Sequence, residues 1–332
     1  MKKFQIALLS TAHIHTRQFL ENMQNGLDRS VCAIWDDNVK RGEKYASEYH
    51  AKFYEDIDEL LANKSISAFV ISAENSRHLS LLEKTIPLGK PIYCEKPLVT
   101  SRRELDRIVP LAKKHRAKIC CSYYLTLQGP LQAVKRLLDQ QAFGKITRVR
   151  YRYAHPAAYA LWFDNPELAW FHDPELAVGG AFLDLGTHAV HVIRSLFGPA
   201  EKVWAQIRNE SGVYPKLDDY GFAMLTLKSG VIANVEAAWT QIGGINGLEI
   251  AGSLKSLWHN GSQYMIGKQG GDSSRLGEGK PQPDRVERLM AVLRDEIPEE
   301  QLDADLEAAY DSVRIVEAAY ESSKQNKWVN LS

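Results

Sequence analysis

The sequence predicts an α/β chain. An N-terminal domain (residues 1–122) reads as a doubly wound parallel sheet. A C-terminal α+β domain (residues 123–332) reads as a large, mostly antiparallel sheet with helices on one face. Three observations carry this. In the first third, short unbroken apolar runs alternate with segments of helical periodicity, the pattern of a parallel sheet covered on both faces. Beyond about residue 145 the apolar period drops to two, as in strands with one face in the core. A length of 332 residues suits two domains better than one.

The elements follow in order. Residues 4–9 form an apolar strand closed by Ser10-Thr11. Phe19, Leu20 and Met23 then recur at helical spacing over 15–24. Residues 30–35 make a second strand ending at Asp36-Asp37, and 39–49 a helix. A short helix spans 57–62, a third buried strand 68–72, and a helix 77–85. Gly89-Lys90-Pro91 leads into the run Ile92-Tyr93-Cys94 and then Glu95-Lys96-Pro97. Ser101 and Glu104 match a capping box for a helix with Leu105, Ile108, Val109 and Leu111 on one face. Residues 118–123 are the last strand of the domain. Helical crossovers of this kind favour the right-handed Rossmann arrangement.

In the second domain, 129–141 is a helix. Val149, Tyr151 and Tyr153 then alternate with Arg148, Arg150 and Arg152, and Val203, Ala205 and Ile207 repeat the pattern. Residues 222–227 and 231–237 flank Lys228-Ser229-Gly230, a hairpin signal. Residues 248–251 are a further strand, and 267–281 read as a mobile loop rich in Gly and Ser. Helices over 285–294 and 301–325 close the chain.

Composition excludes several classes. Net charge is zero, so no basic field exists to attract nucleic acid. No apolar run is long enough to predict a membrane span. The opening apolar stretch is too short for a signal peptide and reads as a strand. The four cysteines, Cys32, Cys94, Cys120 and Cys121, show no Cys-x-x-Cys spacing. They read as free thiols in a reducing compartment, the cytoplasm, and no metal site is expected.

The first strand-to-helix turn is the place for a Gly-x-Gly-x-x-Gly dinucleotide motif. Here it reads Ser10-Thr11-Ala12-His13-Ile14-His15, without glycine. Ser10 and Ala12 are small enough for backbone N–H groups to approach a pyrophosphate at a helix N-terminus. A plain ligand-free turn fits this stretch equally well. Asp36, at the end of the second strand, is placed to bond adenosine ribose hydroxyls and to repel a 2′-phosphate, which favours NAD over NADP. Asp37 is the neighbouring candidate. Ser72, Asn75 and His78 follow the third predicted strand, where open sheets bind ligands.

Lys96 stands at a strand end, held extended by the following proline. Asp184 and His188 sit one helical turn apart behind Gly179-Gly180, so a helix would present both on one face. A carboxylate beside that imidazole would fix its tautomer for base catalysis. Lysine, aspartate and histidine together read as a proton-transfer set.

These residues resemble the Gfo/Idh/MocA oxidoreductase family. The likeness rests on Ser72 to His78, Gly89-Lys90-Pro91 through Glu95-Lys96-Pro97, Gly144-Lys145, and Gly179-Gly180 through Asp184-Leu185-Gly186-Thr187-His188. It implies a catalytic Lys96, a proton-accepting His188, and an Asp184 that holds substrate and partner. It implies that Ser72, Asn75, His78 and Glu95 line the nicotinamide half of the cofactor site. It implies hydride transfer between the nicotinamide and a hydroxyl-bearing carbon of a sugar, sugar derivative or cyclitol. The chain departs from the family in its glycine-poor first turn and in lacking an arginine after the strand at the domain junction. An NAD-assisted glycosidase or lyase on the same scaffold, or a non-catalytic nucleotide-binding sensor, are the other readings. Tyr159, Trp162, Trp170 and His172 could stack on a sugar or simply pack over the junction. The exposed face of the second sheet is expected to bury itself in a homodimer or homotetramer.

Overall fold

The computed structural model describes residues 3–268, 271–277 and 285–331. The first domain runs β1 Phe4–Leu9, α1 Thr16–Gln24, β2 Arg29–Trp35, α2 Val39–Glu48, β3 Lys52–Tyr54, α3 Ile57–Leu61 and β4 Ala68–Ile71. It continues with α4 His78–Thr85, β5 Ile92–Cys94, α5 Arg102–His115 and β6 Ile119–Cys121. The strands form one sheet in the order β3-β2-β1-β4-β5-β6, and every pairing is parallel. The order reverses between β1 and β4, so their carboxyl ends open a crevice there. Residues 68–71 are thus the fourth strand. The third, β3, is a three-residue edge strand without a continuous apolar run, which hid it from periodicity.

The second domain contains α6 Gly129–Asp139, β7 Ile146–Ala154, α7 Pro174–Ala177, α8 Thr187–Phe197, β8 Ala200–Arg208, β9 Tyr220–Leu227 and β10 Ile232–Ala238. Then come β11 Gly247–Gly252, β12 Ser256–His259, β13 Tyr264–Gly267, β14 Ser274–Arg275, α9 Glu287–Leu293, α10 Glu299–Gln325 and β15 Val329–Asn330. Nine strands pair in the order β14-β13-β12-β11-β7-β10-β9-β8-β15. Only β7 with β10 is parallel. The predicted loop 267–281 is interrupted by β14, and residues 269–270 and 278–284 lie outside the described residues. The arginines alternating along β7 face strand neighbours of opposite charge: Arg150 pairs with Glu249 (2.5 Å) and Arg152 with Glu236 (2.7 Å).

The C-terminal helices return to the first domain. Leu289 and Met290 of α9 and Leu302 of α10 pack with Ile6, Leu8 and Phe19 on one face of the parallel sheet. Leu306, Tyr310 and Val313 join Phe69 and Ile92 on the other. Further along α10, Ile315, Val316, Ala318 and Ala319 belong to the core of the second domain. A 27-residue helix is about 40 Å long, enough to brace both units.

The stretch Pro174–Phe197 corrects one expectation. An 18-residue window within its 24 residues has a mean hydropathy of 1.4, enough by length and composition to cross a bilayer. Instead 83% of that window is buried, and Val190, Val192 and Ile193 are core residues of the second domain. Gly180 allows this segment its close approach. A Cβ there would lie 1.8 Å from the Asp218 carbonyl oxygen. The Asp218 carboxylate accepts the N–H groups of Gly180 (2.9 Å) and Phe182 (2.8 Å), which positions the turn carrying Asp184.

Candidate active site

Lys96 follows β5 at the carboxyl edge of the parallel sheet. Asp184 lies in a π-helical turn, Phe182–Gly186, that runs directly into α8. The two side chains meet across the domain junction. Lys96 Nζ donates to Asp184 Oδ1 at 2.6 Å and to the Asp184 carbonyl at 3.0 Å. Trp239 Nε1 donates to Asp184 Oδ2 at 2.9 Å. Burial pushes the Asp184 carboxyl up, but Lys96, His155 and Trp239 together outweigh it and hold it below the usual carboxylate range.

His188, one helical turn on, makes no hydrogen bond to Asp184, whose carboxylate oxygens accept from Lys96 and Trp239. Its ring instead stands edge-on to Tyr123, Tyr124 and Tyr153, with centroids 5.6–5.9 Å away. Burial, then Lys96, pushes its imidazole well below the ordinary value, so it is neutral at pH 7. Its Nδ1 is buried without a partner. Lys96, Asp184 and His188 line one cavity of about 170 Å³, together with His13, His15, Tyr124, Tyr153, His155 and Trp162. A neutral base and an ammonium facing one small cavity can take a proton from a hydroxyl and polarise its oxygen.

Glu95 is fully buried and well satisfied. Its Oε1 accepts from His15 Nδ1 (3.0 Å) and Ser122 Oγ (3.1 Å), and its Oε2 from the Lys96 N–H (3.1 Å). Burial pushes this carboxyl up, yet His13, His15 and Arg285 hold it ionised, well below the usual range. Arg285 comes from the C-terminal segment. It reaches His15 Nε2 (3.2 Å) and Ser122 Oγ (3.3 Å), and its guanidinium lies 3.8 Å over the Tyr124 ring.

The dinucleotide candidates divide. Ser10 stands in the left-handed region (φ 64°), the conformation a glycine would have supplied. The N–H groups of the turn are largely engaged by the chain itself. Thr11 N bonds Asp36 Oδ2 (2.7 Å), Ala12 N bonds Ser10 Oγ (3.3 Å), and His13 N bonds the Ser72 carbonyl (3.0 Å). His15 N bonds His13 Nδ1 (3.3 Å), and Trp170 Nε1 covers the Ala12 carbonyl (3.0 Å). Ile14 is exposed and borders the cavity.

Asp36 is turned inward, where Arg41 Nη2 (2.8 Å) and Asn38 N (2.8 Å) bond its Oδ1. Asp37 instead lines an open pocket of about 750 Å³ with Asn38, Arg41, Glu74, Arg77, Trp170 and His172. Ser72 Oγ pairs with Thr16 Oγ1 (2.9 Å), and Asn75 Nδ2 donates to the Ala177 carbonyl (2.8 Å). His78 is buried between the carbonyls of Pro97 (2.7 Å) and Ala73 (3.2 Å), which makes it a brace for the loop after Lys96. A dinucleotide thus fits at its two ends, the open pocket and the Lys96 cavity. In its middle, a pyrophosphate must displace bonds that the turn makes to itself.

Of the aromatic candidates, only Trp162 borders the inner cavity, stacked on His155 at 4.6 Å. Trp170 and His172 line the outer pocket, and Tyr159 is exposed beside neither. Trp170 stacks on Phe171 at 3.9 Å, and Phe171 lines the inner cavity, so this pair is a wall shared by both spaces. Tyr124, Tyr153, His155 and Arg285 were not singled out from sequence. Tyr153 carried a signal, as an inward position of an alternating strand. The others converge only through the fold.

Comparisons with known proteins agree with this fold. Residues 5–123 match an oxidoreductase family profile with an NAD-binding Rossmann fold, and residues 131–258 match a GFO/IDH/MocA C-terminal domain. An oxidoreductase of Formosa agariphila is 27% identical over 144 residues, 43% of this chain and 44% of that protein, so the chain spans under half its length. The 1,5-anhydro-D-fructose reductase of Ensifer adhaerens is 26% identical over 232 residues, 68% of this chain and 67% of that protein. A levoglucosan dehydrogenase solved with NADH and levoglucosan superposes with a TM-score of 0.82 at 17% identity, covering 99% of both chains. At that identity the likeness concerns the fold.

Proposed function

We propose, from the premise that this chain belongs to the Gfo/Idh/MocA oxidoreductase family, that it moves a hydride between a nicotinamide cofactor and a hydroxyl-bearing carbon. The substrate is a sugar, sugar derivative or cyclitol. One observation carries the reading: Lys96, Asp184 and His188, from two domains, line one cavity at the carboxyl edge of a parallel sheet. The Ensifer reductase and the levoglucosan dehydrogenase bear carbohydrate names, which supports the substrate class.

The bound nicotinamide would accept or return the hydride; the open pocket beside Asp37 and the cavity beside Lys96 would hold its two ends. The chain's own groups handle the proton. His188 is neutral and lines the cavity. It takes the hydroxyl proton on oxidation and returns it on reduction. Lys96 donates a hydrogen bond to the substrate oxygen and stabilises negative charge as it develops there. Asp184 keeps the Lys96 Nζ aimed. Tyr124, Tyr153 and the Trp162 face bound the cavity and limit water.

Preference for NAD over NADP rests on Asp36 and Asp37 after β2 and Glu74 after β4, three carboxylates around Arg41. They leave that guanidinium without spare charge for a 2′-phosphate. A homodimer or homotetramer through the outer face of the nine-stranded sheet, and residence in a reducing cytoplasm, complete the proposal. All four thiols are free, which supports the compartment. A panel of sugars and cyclitols, assayed for reduced cofactor with NAD and NADP in parallel, tests it. Sugar release without accumulation of reduced cofactor would favour a redox-assisted glycosidase instead.

A further inference from the structure

We propose that Arg285 is a positioning residue for the Lys96 cavity: it fixes the tautomer of His15, and through it the aim of Glu95, and it holds the Tyr124 wall. Arg285 lies just ahead of α9, half-buried, and does not itself line the cavity. Its guanidinium spans the junction. Nε donates to Gln18 Oε1 (3.0 Å), Nη1 to Ser122 Oγ (3.3 Å) and Nη2 to His15 Nε2 (3.2 Å), and its central carbon stands 3.8 Å from the Tyr124 ring centroid. His15 and Tyr124 both line the cavity.

The donor inventory sets the direction of the network. A guanidinium only donates, so His15 Nε2 accepts and the ring proton sits on Nδ1. That N–H donates to Glu95 Oε1 (3.0 Å), a fully buried carboxylate whose Oε2 accepts the Lys96 N–H (3.1 Å). Ser122 Oγ donates to the same Oε1 (3.1 Å). Among the described residues, both side chains that donate to Glu95 are therefore gripped by Arg285. With the other tautomer, His15 would turn a lone pair on a buried carboxylate and cost it a hydrogen bond.

Tyr124 is the second arm. Its ring stands edge-on to His188, with centroids 5.8 Å apart, and its hydroxyl meets that of Tyr153 at 3.3 Å. A cation over the ring steadies this wall, and lysine has no planar fork with which to make the same set of contacts. Arg285 has no hydrogen bond to Lys96 or Asp184 among the described residues, so its loss should act on substrate binding more than on the chemical step. That kinetic consequence rests on the hydride-transfer reading; the tautomer claim does not.

The test uses the full chain with isotopically labelled histidine at neutral pH. Proton–nitrogen spectra tell which ring nitrogen is protonated, and the signal missing from His15→Gln belongs to His15. The parent should carry the His15 proton on Nδ1. Arg285→Ala should move it to Nε2 or to a mixture, and added guanidinium below denaturing concentration should restore it. Arg288→Ala, in α9 and paired with Asp305, should match the parent. With a sugar or cyclitol that the parent oxidises, Arg285→Ala should raise KM by about tenfold, the worth of a desolvated cation–π contact, while kcat stays within a few-fold. Arg285→Lys should recover only part of that loss. A proton on His15 Nε2 in the parent, an unchanged tautomer in Arg285→Ala, or an unchanged KM in that variant would each overturn the proposal. A parent that reduces no cofactor with any sugar would overturn the hydride-transfer reading instead, and the ring proton would still decide for or against Arg285.

Discussion

Replacing Lys96 by methionine probes the junction between the two domains. Lys96 Nζ and Asp184 Oδ1 stand 2.6 Å apart, with 5% and 12% of their side chains exposed. At an effective dielectric of about 20 their attraction is about 6 kcal/mol, much of it offset by the cost of taking both charges from water. Removing one partner costs about 3–5 kcal/mol, because the other charge stays buried without its mate. Among the described residues, Lys96→Met leaves the carboxylate with Trp239 Nε1 as its only side-chain donor. Asp184→Asn strands the ammonium in the same way. The double variant strands nothing. Each single change should therefore lose about 3–5 kcal/mol, and the pair together no more than either alone. Urea unfolding followed by tryptophan fluorescence reads all four proteins. Losses that simply add in the double variant would refute the claim that these groups are mutual partners.

Acid should destabilise the fold before its carboxylates titrate. His78, His188 and His191 are buried, and burial lowers each, His191 to about 3. Above about pH 6.5 all are neutral in both states. Below it the unfolded chain binds protons that the folded chain does not, so stability falls by up to about 1.4 kcal/mol per pH unit for each. Urea midpoints at pH 7.5 and 5.5 check this, and equal midpoints would contradict it. Gly180→Ala should lose about 3 kcal/mol or more, because its Cβ meets the Asp218 carbonyl; a melting temperature within a degree of the parent would count against the packing. Asp36→Ala should lose about 3 kcal/mol by releasing Thr11, Asn38 and Arg41, and should admit NADP more readily. Stability equal to the parent in chemical denaturation would show that Asp36 does not hold the turn.

Much of this architecture is legible in the residues because burial sets the period. Unbroken runs such as Ile92-Tyr93-Cys94 are covered on both faces, whereas Val149, Tyr151 and Tyr153 alternate with paired arginines. The shortest strands were not legible. Lys52–Tyr54, Ser256–His259, Tyr264–Gly267 and Val329–Asn330 are two to four residues long and take their strand form from neighbours. The site shows the same division. Lys96 before a proline and Asp184 behind two glycines carry local signals, and they meet. Asp184 and His188 do not bond each other; Lys96 and Trp239, the latter 55 residues away, are the side-chain partners of the carboxylate. Asp36 turns inward for a similar reason: Arg41, one helical turn along α2, claims it. His155 and Tyr124 reach the cavity from separate elements, Arg285 backs it through His15 and Tyr124, and no local pattern announces that convergence.

The most direct measurement is reduced-cofactor absorbance with a panel of sugars and cyclitols, for the parent and for Lys96→Ala, with NAD binding followed in parallel by calorimetry. The account predicts that at least one substrate drives accumulation of NADH, and that Lys96→Ala slows it by about 100-fold or more while NAD affinity stays within a few-fold. No NADH from any member of the panel, or a Lys96→Ala rate equal to the parent's, would contradict it.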